Sequence, residues 1–190
     1  MDKWIDFYEQ SFPDRAAAQA FVEELEVVSD SEMPKHRAKI MMHQVQRLVS
    51  LADDVTQIRK GRESLHLLFL LICAENIAKL FHNFEGEGQS RHFVRKFFAK
   101  FVGGHDRAVL ESSFFTHEAI AMNLQAVADC LYSVRCDIVH EGRYWEFHFA
   151  DGITPMLNID PNITVHISLN QFRAIVIRAC VGAIQTYETL

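Results

Sequence analysis

Apolar positions along the chain recur mostly at helical spacing. Phe21, Leu25 and Val28 step 4-3, in a segment that Pro13 and Asp14 open and that runs to about Val28. A short segment over Asp2 to Gln10 precedes it. Ser31 as a cap and Pro34 at an early helical position start a longer helix to about Lys60, with Met41, Val45, Leu48, Ala52 and Val55 on one stripe and Gly61 as its break. Glu63 to Phe84 is apolar almost all round, as a helix at the centre of a bundle would be. After the loop Glu85 to Gln89, Ser90 is expected to cap a helix from Arg91 to Val102, which Gly103-Gly104 ends. His105 to Phe115 reads as a short helix or an ordered loop. Thr116 is the expected cap of the next long helix, whose stripe Ile120, Leu124, Val127, Leu131, Val134, Ile138 steps 4-3-4-3-4.

Beyond Gly142 the period changes. Tyr144 to Phe149 alternates aromatic and polar residues, as a half-buried strand does. Asp151-Gly152 is a turn, and Ile153 to Ile159 and Ile163 to Ser168 supply one or two further short strands, the first weakened by Pro155. Ser168-Leu169-Asn170-Gln171 is a capping box that opens a last helix with Phe172, Val176, Ala179, Ala183 and Tyr187 in contact register. The expectation is an all-α helical bundle with a small β-hairpin inserted before the C-terminal helix, in a single domain over 1–190.

Composition narrows the function classes. The 190 residues are 49% apolar with 15 Phe, which excludes disorder as the overall state. The net charge of −6 argues against a protein that coats nucleic acid through bulk positive charge, so any such contact needs a local basic patch. Cys73, Cys130, Cys136 and Cys180 form no CxxC pair and read as free thiols in a reducing compartment. Asp2, Asp6 and Glu9 speak against a signal peptide, and Leu65 to Phe81 falls short of the roughly 20 residues of a membrane span, so a cytoplasmic location without membrane contact is expected. GxxxxGK[ST], GxSxG and HExxH are absent, and the scattered histidines present no metal-ligand spacing beyond His36 and His43, seven apart. Neither a metal nor another cofactor is expected. A metal-bearing helical-bundle enzyme rests only on the histidine count.

Three features carry candidate chemistry. Glu75 lies in the middle of the most apolar helix, where a carboxylate needs a partner, either for structure or to orient a basic residue elsewhere. On the helix from Arg91, the apolar Phe93, Val94, Phe97, Phe98 and Phe101 stand opposite Arg91, His92, Arg95, Lys96 and Lys100, a solvated face or a phosphate-backbone contact. Finally, Val134 to Gly142 closes the best amphipathic helix with His140 in its last turn, where the helix dipole favours the imidazolium. Cys136 and Asp137 lie on the side of His140, whereas Arg135 is five residues away, roughly 140° round a regular helix. Two such helices meeting at a two-fold axis would bring Arg135 and His140 together.

Arg135-x4-His140 at the end of a long helix in an all-α bundle resembles the R-x4-6-H motif of the HEPN superfamily (higher eukaryotes and prokaryotes nucleotide-binding). The preceding apolar helix with its embedded Glu75 is similar too. The resemblance covers about residues 35–190 and leaves residues 1–30 as accessory N-terminal helices. It implies a homodimer formed through the motif helices and a metal-independent endoribonuclease, a toxin or defence effector with an antitoxin partner. Arg135 and His140 would be catalytic, Cys136, Asp137 and Glu75 supporting, and Arg91, Arg95, Lys96 and Lys100 would bind RNA. The family's motif usually has a polar residue after the Arg. Here Cys136 stands there, and the carboxylate comes one step later at Asp137. That departure motivates the alternative, a non-catalytic dimeric module that binds RNA, nucleotide or a partner protein.

Overall fold

A computed structural model describes residues 1–33, 35–159 and 161–188. Eight α-helices among these residues build the bundle: α1 (Asp2–Tyr8), α2 (Arg15–Glu26), α3 (Lys35–Ile58), α4 (Glu63–Phe81), α5 (Ser90–Phe101), α6 (Gly104–Glu111), α7 (Leu124–Cys136) and α8 (Leu169–Glu188). A 3-10 turn, Glu9–Ser11, follows α1. Three short strands, β1 (Phe114–Thr116), β2 (Met156–Asn158) and β3 (Ile163–Val165), form an antiparallel sheet in the order β1-β3-β2.

Local chemistry sets several helix starts. The Asp14 carboxylate accepts the Ala17 N–H at 2.8 Å and caps α2, and Asn123 does the same for Ala126 at 2.9 Å on α7. The capping box of α8 forms as its sequence requires: the Gln171 N–H donates to the Ser168 hydroxyl at 3.3 Å and the Ser168 N–H to the Gln171 side chain at 3.1 Å. α3 spans Lys35–Ile58, the expected early position of Pro34 lies outside the described residues, and the Ser31 hydroxyl pairs with that of Ser29.

α4 buries residues on every side, Leu67, Leu70, Leu71, Cys73, Ala74, Ile77 and Ala78 among them. It is long and apolar enough to pass as a membrane span, contrary to the expectation from its length, and 56% of that stretch is buried inside the bundle. α3, α5, α7 and α8 all pack against it. The N-terminal helices share this core: Ile5, Tyr8, Phe21, Val22 and Leu25 belong to one cluster with α4 and α8, and the buried Tyr8 hydroxyl donates to the Met42 carbonyl at 2.6 Å. Arg173 on α8 forks onto Asp53 of α3 at 2.8 and 2.7 Å and reaches Gln10 at 2.9 Å.

Two further expectations need correction. Thr116 does not cap a helix: it ends β1, α7 starts eight residues later, and Ile120 is 57% exposed outside it. Residues 114–122 fold back on themselves instead, with the Thr116 N–H on the Ile120 carbonyl and the Met122 N–H on the Phe114 carbonyl, both 2.9 Å, and β3 supplies the long-range pairing. His105 to Phe115 accordingly divides into α6 and the start of β1. Tyr144 to Phe149 is not a strand, although Phe147 and Phe149 are buried as the alternation requires. Side chains satisfy its backbone: Glu63 accepts the Phe149 N–H at 2.7 Å, Asn158 accepts from His148 N–H at 2.7 Å, and the Ser64 hydroxyl donates to the Tyr144 carbonyl.

Candidate functional site

α4, α5 and α7 meet around the Glu75 carboxylate, which is 13% exposed. The Lys79 ammonium stands 2.7 Å from Oε1, one turn further along α4. The Ser90 hydroxyl at the start of α5 donates to the same oxygen at 2.7 Å. Arg135 Nη2 on α7 lies 4.0 Å from Oε2. Ser90 is therefore the first residue of α5 and a partner of Glu75, and the N-cap position falls to Gln89 in a left-handed conformation. A pocket of about 240 Å³ opens here, lined by Ile72, Glu75, Asn76, Lys79 and Arg135.

Tyr132 carries the other side of the site. The guanidinium carbons of Arg135 and Arg91 lie 5.5 and 5.4 Å from its ring centroid, within cation–π range. The Tyr132 pKa is raised, first by burial and then by Cys136 one turn on, while Arg135 opposes the shift. Arg135 is thus fixed between an aromatic face and a carboxylate, with 19% of its side chain exposed, and it lines the pocket.

After Cys136 the helix widens. Asp137–Glu141 is a π-helical turn, closed by Gly142 at φ +69°, whose N–H donates to the Asp137 carbonyl. In an i→i+5 turn, residues five apart come close to one full turn from each other. The angle between Arg135 and His140 is therefore smaller than the roughly 140° of a regular helix. Such turns recur at functional positions. His140 and its neighbour Val139 are exposed, and His140 is not among the residues lining the Arg135 pocket. Asp137 faces Arg143 Nη2 at 3.5 Å, and the same guanidinium reaches Glu141 at 2.7 Å and Glu146 at 3.2 Å.

The cations of α5 do not form one stripe. Arg95 forks onto Asp129 of α7 at 2.6 and 2.7 Å, and Arg91 Nε is 3.6 Å from the same carboxylate. These two arginines belong to the α7 side. Lys96 and Lys100 lie on the α4 side instead, over the rings of Phe93 at 5.7 Å and Phe81 at 4.0 Å. His82 sits beside them, its pKa lowered first by burial and then by Lys96, Lys100 and His92.

Structure therefore brings Arg135 and Glu75 together, sets Arg91 on the same Tyr132 ring as Arg135, and leaves His140 exposed and outside the pocket lining. Sequence reasoning missed Lys79, Asn76, Tyr132, Asp129 and Arg143. Lys79 was visible as the i+4 partner of Glu75, and Tyr132 as the residue one turn before Cys136. Among the described residues no three His, Cys, Asp or Glu side chains are grouped to hold a metal ion. No family model, curated protein or solved structure matches the chain.

Proposed function

We propose that the chain is a HEPN-type endoribonuclease acting in the cytoplasm as a homodimer, with Arg135 and His140 of each subunit facing one composite cleft. The reading is supported above all by Arg135, anchored by Glu75 and Tyr132 at the edge of an open pocket and followed at once by the π turn that carries His140.

RNA supplies its own nucleophile. An imidazole such as His140 removes the 2′-OH proton, and the 2′ oxygen attacks the adjacent phosphorus. The bond to the 5′ oxygen breaks, and an imidazolium gives that oxygen its proton. Products are a 2′,3′-cyclic phosphate and a 5′-hydroxyl. Negative charge grows on the non-bridging oxygens, where the planar donors of Arg135 stabilise it. Glu75 and Tyr132 hold that guanidinium in place, and Arg91 adds a second cation on the Tyr132 ring. A toxin or defence role with an antitoxin protein as partner belongs to this proposal.

The test is cleavage of a structured RNA pool in excess EDTA by wild type, His140→Ala and Arg135→Ala, with end-group analysis of the products. Loss of at least ~100-fold in rate for His140→Ala, with cyclic phosphate ends from wild type, is expected. Equal cleavage by wild type and His140→Ala would sink the proposal. A second reading, a non-catalytic dimeric module that binds RNA, nucleotide or a partner protein, is favoured by Cys136 after the motif arginine and by the carboxylate that already faces Arg135. Ligand-induced stabilisation without turnover would select it.

A further inference from the structure

The ion pairs of α5 separate its cations into two kinds. Arg95 is engaged by Asp129 through both Nε and Nη2. Lys96 and Lys100 make no ion pair among the described residues, and they do this in a chain of net charge −6. Their ammonium nitrogens lie over aromatic rings that belong to the core, 5.7 Å from the Phe93 centroid and 4.0 Å from that of Phe81, while Lys100 is exposed and Lys96 half-buried.

These lysines continue the Arg135 pocket. Lys79, which lines that pocket, stands 5.9 Å from the Phe93 ring. Lys96 stands 5.7 Å from the same ring. The His82 ring contacts both Phe93, at 6.4 Å between centroids, and Phe81, at 5.3 Å, and Lys100 lies over Phe81. His92 packs on the edge of Phe93 at 5.4 Å. Positive or protonatable groups thus run from Arg135 and Lys79, which share the Glu75 carboxylate, to Lys96 and Lys100, which have no such partner among the described residues. Along α5, His92, Lys96 and Lys100 follow one another at about 6 Å of axial rise, and the row from His92 to Lys100 extends about 12 Å.

We infer that this row is the track of a single-stranded RNA backbone leading into the Arg135 pocket, with Lys79, Lys96 and Lys100 on successive phosphates. The inference rests on the RNA-directed reading of that pocket. A polyanion with charge repeated along its length matches a row of cations whose outer members, Lys96 and Lys100, carry no ion pair among the described residues, and the contacts are to backbone charge, so the track reads no sequence. The arginine pair Arg91 and Arg95 lies off it, on the α7 side.

The test is fluorescence anisotropy of a labelled 12-nucleotide single-stranded RNA across a salt series. Proteins are His140→Ala, as a cleavage-free background, and the same background carrying Lys96→Gln with Lys100→Gln, Lys96→Arg with Lys100→Arg, or Arg107→Gln. Losing two phosphate contacts on a single strand lowers the slope of log K against log salt by about 1.4 and weakens binding roughly ten- to thirtyfold at 0.1 M salt. The arginine pair should restore both quantities, and Arg107→Gln, on α6 and off the track, should leave them unchanged. Unchanged affinity and slope in the glutamine pair, with its melting temperature intact, overturns the track. So does an absence of RNA binding at low salt, or preferential binding of an acidic peptide over RNA. Cleavage is scored separately: wild-type turnover that ignores Lys96 and Lys100 defeats the track alone, and lysine-dependent binding without turnover defeats the nuclease alone.

Discussion

Replacing Glu75 by Gln removes the charge at the centre of the site and keeps its shape. No cavity forms, so the change isolates electrostatics. The Ser90 hydroxyl and the Lys79 ammonium, both at 2.7 Å, still find an amide oxygen. Their bonds fall from charge-assisted to neutral acceptors, which roughly halves them. Hydrogen bonds to charged groups contribute ~1.5–3 kcal/mol each, so the pair loses ~1.5–3 kcal/mol. Relief of the desolvated carboxylate returns part of this, on the order of 1 kcal/mol. The Arg135 contact at 4.0 Å adds little, because it is long and partly solvated. The net expectation is a loss of ~0.5–2 kcal/mol, or a fall in melting temperature of roughly 1–8 °C for a chain of this size. Glu75→Ala should cost more, ~3–4 kcal/mol, since it leaves Lys79 and Ser90 without that acceptor and opens a void. Thermal unfolding followed by circular dichroism at fixed ionic strength measures both. Should Glu75→Gln melt within 1 °C of wild type, or Glu75→Ala melt no lower than Glu75→Gln, then the carboxylate does not organise the three helices and this account of the site fails.

Other outcomes can be checked as directly. Gly142→Ala forces a side chain to φ +69° and should destabilise by ~1–2 kcal/mol in urea unfolding, with loss of whatever activity depends on the π turn. His66 is 3% exposed, bonded through Nδ1 to Thr56 at 2.8 Å, and burial lowers its pKa below the ordinary 6.5. The unfolded chain then binds the extra proton first, so stability declines as pH falls from about 6.5 to the lowered native value and levels off below it. His66→Asn should flatten that segment of the curve of unfolding free energy against pH. Burial pushes the Cys130 thiol up to about 12 from 9, so its native alkylation at pH 8 should run roughly a thousandfold slower than in the unfolded chain, as read by mass spectrometry of iodoacetamide adducts.

Legibility followed the range of the interactions. The Ser168/Gln171 box was readable because its partners are three residues apart. Leu124, Val127, Leu131 and Val134 are buried as their stripe requires, but the stripe ran one step too far: Ile120 fits the period, and pairing of β1 with β3 across about fifty residues decides against helix there. Tyr144 to Phe149 shows the converse, a correct inside-outside alternation whose hydrogen bonds come from Glu63 and Asn158 on other elements. Glu75 announced its need for a partner, whereas Ser90 and Arg135 as the suppliers depend on how α4, α5 and α7 pack. The cations of α5 held a clue that spacing alone reveals. Arg91 and Arg95 fall on one i, i+4 line and His92, Lys96 and Lys100 on the next, and the neighbours of each line decide its role.

α8 has a consequence for how the molecule comes into being. Phe172, Val176, Ile177, Cys180, Ala183 and Ile184 fill the space against α3, α4 and α5. A ribosome synthesises every residue of the Arg135 pocket before it reaches residue 169. Until α8 emerges, α4 and α5 present bare apolar flanks and Asp53 lacks Arg173. The nascent chain up to residue 168 should therefore be a client for chaperones, and the site around Glu75 should take shape only after α8 has been made.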